Sequence, residues 1–155
     1  RARSHPNPPP AAKPSAIPPE QPAPAVGAPV RTAMDESYDF SVVNFANGPL
    51  VGHTGNYEAA CLAVNAVDKE LGMIIDKAKK DGYAVVLTSD HGNCEEMKDS
   101  EGHVLTNHTV GEVWCFVMAE GVTKVKEGCG LNNVAPTVLT LMGLEIPEEM
   151  DEPLI

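Results

Sequence analysis

The chain has 155 residues, which is enough for one domain of ordinary size, and a formal net charge of −11. The charge is uneven, because residues 1–30 carry +2 and the remaining 125 residues carry −13. An acidic folded part of this kind is not expected to bind nucleic acid or an anionic membrane through bulk charge, although plain solubility explains the same composition.

The cysteines and the hydropathy pattern indicate an intracellular, non-membrane protein. The four cysteines are far apart and form no Cys-x-x-Cys pair: Cys61, Cys94, Cys115 and Cys129. This favours a reducing compartment, and we expect the cytoplasm. No apolar run approaches the roughly 18 residues of a membrane span, and the N-terminus lacks the hydrophobic segment of a secretory signal.

Residues 1–37 are predicted to form a disordered leader that is rich in proline and alanine. Ten of the 14 prolines fall within residues 1–30. Proline removes backbone donors, so this composition predicts disorder with local polyproline II structure. The sequences PNPPP and PPEQP could bind a proline-recognition module, but an unstructured tail or a non-native leader is the simpler interpretation.

The globular part is predicted to begin at residue 38 with a strand, a turn and a long helix. Residues 39–47 have the composition of a strand, and a turn containing Gly48 and Pro49 leads to His53. Asn56 is a suitable N-cap, and Gly82 suits the position after the last turn. The helix between them carries an apolar stripe at helical spacing: Tyr57, Ala60, Cys61, Val64, Val67, Leu71, Ile74, Ile75 and Ala78.

A buried strand is predicted next, over residues 83–89, and it runs directly into Asp90 and His91. It completes a strand–helix–strand unit, so we expect it to be parallel to the strand at 39–47. A long polar loop, residues 92–111, follows and contains His108 near its end; a loop of this length is usually functional or mobile. A strand at 112–119, a loop at 121–130, a helix at 134–142 and a surface tail complete the chain.

Four side chains have the chemistry of metal ligands: His53, Asp90, His91 and His108. A carboxylate combined with imidazoles suits Zn²⁺ or Mn²⁺ better than Ca²⁺. The alternatives are a strand-end Asp90 that caps a turn beside a surface His91, a His53 bonded to backbone at a helix start, and an exposed loop residue at His108. A two-metal phosphoryl-transfer centre needs about six to eight such ligands, more than the four found here.

Four segments resemble one enzyme family. They are NFANGPLVGHTGNYEAA (44–60), LTSDHGNCEEM (87–97), HTVGEVW (108–114) and NNVAPTVLTLMGLEIPEEM (132–150). They are similar to the C-terminal portion of cofactor-independent phosphoglycerate mutase, a member of the alkaline phosphatase superfamily. The resemblance runs from about Tyr38 to Ile155, and residues 1–37 do not share it.

The resemblance implies a fold and a reaction. The fold is α/β: a partial alkaline-phosphatase-like domain over residues 38–155, with a mostly parallel sheet flanked by helices. The reaction interconverts 3-phosphoglycerate and 2-phosphoglycerate through a phosphoserine, in a monomeric enzyme with two Mn²⁺ ions (Mg²⁺, Zn²⁺ or Co²⁺ in some members). By position, His53 and His108 correspond to ligands of one metal, and Asp90 and His91 to ligands of the other.

The sequence departs from the family pattern in two respects. Pro49 occupies the place of a family Asp, four residues before the histidine of VGHTG, so that ligand is lost. The family's nucleophilic serine, its first metal-binding Asp and its substrate-binding domain precede the matching region. None of the four candidate serines stands in a nucleophile context: Ser4, Ser15, Ser37 and Ser89. We therefore assign no catalytic residue, and we expect this chain alone to have no turnover.

Two other functions stay open on the sequence alone. One is a non-catalytic, metal-binding or partner-binding remnant, which would bind metal without turnover. The other is a different hydrolase of the superfamily, such as a phosphopentomutase or a sulfatase, and the VGHTGN segment argues against it. A sheet that lacks strands exposes an edge, so self-association is expected.

Overall fold

The computed structural model describes residues 2–5, 22–46 and 51–155. These residues form two compact units, each described here by itself. The first unit comprises Arg1–Asp81 and His91–Gly111, and the second comprises Gly82–Asp90 and Glu112–Ile155.

The first unit contains two strands and two helices. They are β1 (Ala2–His5), α1 (Pro22–Asp35), β2 (Phe40–Val43) and α2 (Tyr57–Asp81). Strands β1 and β2 pair in parallel, in register from Ala2 opposite Phe40 to His5 opposite Val43. The predicted strand at 39–47 is thus confirmed in a shorter form, while residues 47–50, including Gly48 and Pro49, lie outside the described residues.

Helix α1 corrects the prediction of a disordered leader over residues 1–37, which is wrong for Pro22–Asp35. Four small apolar side chains recur at helical spacing and are buried: Ala23, Val26, Val30 and Ala33. Pro24 lies in the first turn, where the backbone N–H has no partner within the helix, and burial of the apolar face offsets the cost of the interior Pro29. The proline-rich residues 6–21 lie outside the described residues.

Helix α2 begins and ends where its capping residues predict. The Ala59 N–H donates to Oδ1 of Asn56 at 3.0 Å, which satisfies one of the unpaired donors of the first turn. Lys79 and Lys80 lie in the last turn, and Gly82 follows with φ of 77°. That conformation favours glycine, so the prediction that the helix ends just before Gly82 is confirmed.

The buried face of α2 contains only some of the residues of the predicted apolar stripe. Its buried residues are Ala60, Ala63, Glu70, Ile74 and Ala78. Tyr57 and Val64, which belong to the predicted stripe, are 65% and 50% exposed. Glu70 is 4% exposed, and its Oε2 lies 2.6 Å from Nη1 of Arg31 on α1. A partly buried ion pair therefore joins the two helices among their small apolar side chains.

The second unit contains two strands and one helix. They are β3 (Val85–Thr88), β4 (Cys115–Met118) and α3 (Val134–Leu141), and a short 3₁₀ turn (Leu131–Asn133) precedes α3. Strands β3 and β4 pair antiparallel, with Val85 opposite Met118. No helix among the described residues is long and apolar enough to cross a membrane.

The prediction of a mostly parallel sheet is wrong for the described residues. Strand β2 pairs with β1 in parallel and β3 pairs with β4 antiparallel, in two two-stranded sheets. The expectation that β2 and β3 are parallel stays a prediction, because the two strands belong to different units. A strand–helix–strand order fixes the relative direction of two strands only when both belong to one sheet. Strand β3 is also half-buried rather than covered on both faces.

Strand β4 presents aromatic side chains to solvent. Trp114, just before the strand, is 80% exposed, and Phe116 is 51% exposed. Their rings are stacked, with centroids 6.2 Å apart and planes inclined by 11°.

The C-terminal tail is exposed over residues 147–152, as predicted, but its end is anchored to α3. The buried Thr137 hydroxyl donates to the Asn133 carbonyl at 2.6 Å and accepts the Leu154 N–H at 2.8 Å. The side-chain amide of Asn133 donates to the Glu152 carbonyl at 2.8 Å. Leu154 is 4% exposed, so the end of the tail belongs to the core of the second unit.

Candidate metal centre

Three of the four predicted ligands lie together in the first unit. The ring centroids of His91 and His108 are 3.6 Å apart, and those of His53 and His108 are 5.3 Å apart. We call these three residues the histidine cluster. His53 and His108 are exposed, and His91 is half-buried.

The loop at residues 92–111 brings His91 and His108 together because backbone hydrogen bonds join its two sides at two places. The Thr109 N–H donates to the Gly92 carbonyl at 3.1 Å, at the point where the loop begins and ends. Further along, the Leu105 N–H donates to the Met97 carbonyl at 2.9 Å, and Met97 is buried. The loop is thus an ordered hairpin, which places two histidines 17 positions apart side by side.

Hydrogen bonds to backbone carbonyls set the tautomers of two of these histidines. Nδ1 of His53 lies 2.5 Å from the Thr106 carbonyl oxygen, and Nδ1 of His91 lies 3.1 Å from the Gly92 carbonyl oxygen. A carbonyl oxygen only accepts, so in each neutral ring Nδ1 carries the proton and the lone pair lies on Nε2. Metal-binding histidines have the same arrangement, in which the second nitrogen donates to a carbonyl or carboxylate. The hydrogen bond of His53 to the Thr106 carbonyl also agrees with the alternative interpretation of His53, a histidine near a helix start that is bonded to backbone.

The donor chemistry of the cluster fits a divalent transition metal, but the ring geometry does not form a closed site. His91 and His108 are stacked with planes inclined by 16°, so their faces meet rather than their nitrogens. Within residues 2–5, 22–46 and 51–155, no group of three His, Cys, Asp or Glu side chains is arranged so that it could hold a metal ion. Metal binding would therefore require the two stacked rings to turn.

The fourth predicted ligand, Asp90, is not one of the three residues of the histidine cluster. Asp90 is exposed and belongs to the second unit, and it is joined to His91 by a peptide bond. Pro49, the position of the lost family ligand, lies outside the described residues.

Two side chains beside the cluster were not predicted from the sequence. Asn93 is 6% exposed, and its side-chain amide donates to the Asn107 carbonyl at 3.2 Å. Glu95 accepts hydrogen bonds from the Thr109 hydroxyl and, at 2.6 Å, from the Asn93 N–H. The Thr109 hydroxyl in particular holds the pKa of Glu95 below its ordinary value of 4.5. The sequence signal for both residues is their place in the family-like segment LTSDHGNCEEM (87–97), close to His91.

Comparison with known families identifies the class of protein. Residues 13–146 match the family model described as the metalloenzyme superfamily, and the chain belongs to that superfamily. The match begins at residue 13, so the expectation that residues 1–37 lie outside the family is wrong for residues 13–37. It includes α1, in agreement with the helical packing seen there.

Individual relatives indicate a narrower class of protein than the superfamily. The chain is 65% identical over 137 residues to the 2,3-bisphosphoglycerate-independent phosphoglycerate mutase of Sulfurimonas denitrificans, covering 88% of this chain and 28% of that protein. It is 65% identical over 136 residues to the enzyme of the same name from Wolinella succinogenes, covering 88% and 27%. The chain thus spans little more than a quarter of the length of these relatives.

A solved structure shows the same fold. Phosphoglycerate mutase of Leishmania mexicana, determined at low cobalt concentration, superposes with a TM-score of 0.79 at 31% identity. The superposition covers 88% of this chain and 28% of that one. The predicted α/β class and the resemblance to part of a phosphoglycerate mutase are therefore confirmed.

Proposed function

We propose that this chain supplies part of a divalent-metal centre for phosphoryl transfer in a phosphoglycerate mutase. The whole enzyme would interconvert 3-phosphoglycerate and 2-phosphoglycerate. The observation that carries the proposal is the gathering of His53, His91 and His108 in one unit of a metalloenzyme-superfamily chain. The names of the relatives, both 2,3-bisphosphoglycerate-independent phosphoglycerate mutases, support the choice of reaction.

The four predicted ligands would divide between two metal ions. His53 and His108 would hold one, and Asp90 and His91 would hold the other. Mn²⁺ is our first choice, with Mg²⁺, Zn²⁺ or Co²⁺ as alternatives. When bound, such ions stabilise negative charge on phosphoryl oxygens and favour the deprotonated form of a nucleophile.

The chain's own residues orient the ligands. The Thr106 and Gly92 carbonyls accept the Nδ1–H groups of His53 and His91, which keeps Nε2 as the donor atom of each ring. Asp90 would add the negative charge that offsets a dication. Because Pro49 brings no ligand to its position, we expect the site of His53 and His108 to bind metal more weakly than the other.

The remaining features of the proposed enzyme follow from the family. Its substrate would be a small phosphoglycerate in the cytoplasm, and neither nucleic acid nor a membrane would be a partner. The enzyme would act as a monomer. None of the chain's serines was assigned as the nucleophile, so we propose that the chain alone has no turnover.

Metal titration tests the proposal. Calorimetry with Mn²⁺ or Co²⁺ is expected to show binding at micromolar metal, and His91→Ala is expected to weaken it at least tenfold. His103→Ala is the matched control, because His103 is an exposed histidine of the same loop that is bonded to Asp99 rather than to the cluster. Absence of binding to the unmodified chain, or equal losses in both variants, would contradict the assignment.

A coupled assay for 2-phosphoglycerate, with added Mn²⁺, tests the second part. No turnover is expected from the chain alone. Turnover that disappears in His91→Ala would contradict the predicted inactivity and still support the metal ligands, whereas turnover that survives in His91→Ala would contradict those ligands.

A further inference from the structure

Asn93 contacts each of the three segments that carry the histidine cluster. It stands two positions after His91, its amide donates to the carbonyl of Asn107, which precedes His108, and its oxygen faces Gly52, which precedes His53. We infer that Asn93 is a positioning residue, which holds the three histidines at their mutual distances without being a ligand itself.

The contact with Asn107 is specific to a side chain that donates. Nδ2 of Asn93 lies 3.2 Å from the Asn107 carbonyl oxygen, and the Asn93 side chain is 6% exposed. Loss of this hydrogen bond removes the side-chain donor that joins residue 93 to the Asn107 carbonyl. The backbone beside His108 would then lose its connection to the backbone beside His91.

The contact with Gly52 requires glycine at that position, because only a residue without a side chain leaves room for the Asn93 amide. A Cβ there would collide with Oδ1 of Asn93 and come within 3.1 Å of Sγ of Cys94. Gly52 is buried and directly precedes His53. The Asn93 amide thus fills the space that sets how closely the turn bearing His53 approaches the loop.

The backbone of Asn93 is fixed by a third contact. Its N–H donates to Oε2 of Glu95 at 2.6 Å, and the other oxygen of Glu95 accepts the Thr109 hydroxyl. Glu95 therefore ties the start of the loop to its end, one residue beyond His108. With this connection the side chain of Asn93 has a defined direction, which a positioning role requires.

The inference has two consequences that can be measured separately. Without metal, Asn93 should be required for the close contact between the rings of His91 and His108. With metal, which rests on the proposed function, the two rings turn while Asn93 keeps the segments that carry them together, so its loss should raise the dissociation constant for Co²⁺ by about 10–100-fold, as for other groups that orient metal ligands.

The test uses three variants of the whole chain: Asn93→Ala, Asn93→Asp and Gly52→Ala. Asn93→Asp keeps the shape but removes the donor to Asn107, and Gly52→Ala displaces the amide from the other side. Nuclear Overhauser contacts between the His91 and His108 rings are expected in the unmodified chain and expected to disappear in each variant. Far-UV circular dichroism identifies the variants that remain folded. The control is Asn65→Ala, at an exposed position of α2.

Several results would overturn the inference. Folded variants that keep the ring contacts would show that Asn93 only fills space. Unfolding of all three variants would show that it supports the whole unit rather than the cluster, and loss of the contacts in Asn65→Ala would show a general effect. If the unmodified chain has the ring contacts but binds no Co²⁺, the proposed function fails, while the ring contacts still decide the role of Asn93.

Discussion

The ion pair between α1 and α2 should stabilise the first unit strongly, and Arg31→Met should reveal it. Nη1 of Arg31 lies 2.6 Å from Oε2 of Glu70, and the two side chains are 26% and 5% exposed. Removing one partner of a fully buried pair costs about 3–5 kcal/mol, because the other charge is left without compensation. Arg31 retains some contact with water, so we expect a loss of about 2–3 kcal/mol.

Urea unfolding followed by far-UV circular dichroism measures this loss, because both helices contribute to the signal. With a slope of about 2 kcal/mol per molar urea, the midpoint should fall by roughly 1 M. The double variant Arg31→Met with Glu70→Leu should recover most of the stability, since apolar residues of similar volume often replace buried ion pairs without cost.

A second ion pair between the same helices provides the matched control. Nζ of Lys77 lies 2.5 Å from Oδ1 of Asp35, but the Asp35 side chain is 68% exposed. Lys77→Met should therefore move the urea midpoint much less than Arg31→Met does. Equal effects of the two variants, or a double variant as unstable as Arg31→Met alone, would refute the argument from burial.

Three further predictions concern other contacts. Gly27→Ala should lower the melting temperature despite a gain of about 1 kcal/mol in helix propensity, because the added methyl would displace the buried carboxylate of the ion pair. Thr109→Val should raise the pKa of Glu95, measured by carboxyl NMR titration, since the threonine hydroxyl is the main cause of its lowering. A lowered carboxyl pKa stabilises the fold above pH 4.5 and this contribution is lost as the pH falls through the folded-state pKa, so the variant should lose less stability on acidification. Thr137→Val, which keeps the shape but removes the acceptor for the Leu154 N–H, should cost about 1–3 kcal/mol in urea unfolding and speed hydrogen exchange of that amide.

Local signals in the sequence were sufficient for the long helix and insufficient for the first one. In α2, a capping asparagine, a periodic apolar face and a terminal glycine agree, and the helix bounds follow from them. In α1, the spacing of Ala23, Val26, Val30 and Ala33 carried the same periodic signal, but the surrounding prolines suggested disorder. Packing of these small residues, which no local rule describes, decided the outcome.

The pairing of strands could not be predicted because it depends on contacts distant in sequence. The strands predicted at 83–89 and 112–119 are confirmed in a shorter form, as Val85–Thr88 and Cys115–Met118, yet their mutual direction follows from the path of the intervening loop. The same loop explains the candidate site. The histidines were identified by residue type and by family resemblance, whereas their juxtaposition, and the amide of Asn93 beside them, depend on hydrogen bonds between loop backbone atoms.

The exposed pair of Trp114 and Phe116, at the start of β4, determines which optical signals the molecule offers. Trp114 is the sequence's single tryptophan, and with 80% of its surface in water its emission should already resemble that of free indole in the native state. Its fluorescence will change little on denaturation but will respond strongly to a collisional quencher such as iodide. Any molecule that covers this part of the second unit should shield the indole, so quenching by iodide gives a direct assay for occupation of that surface.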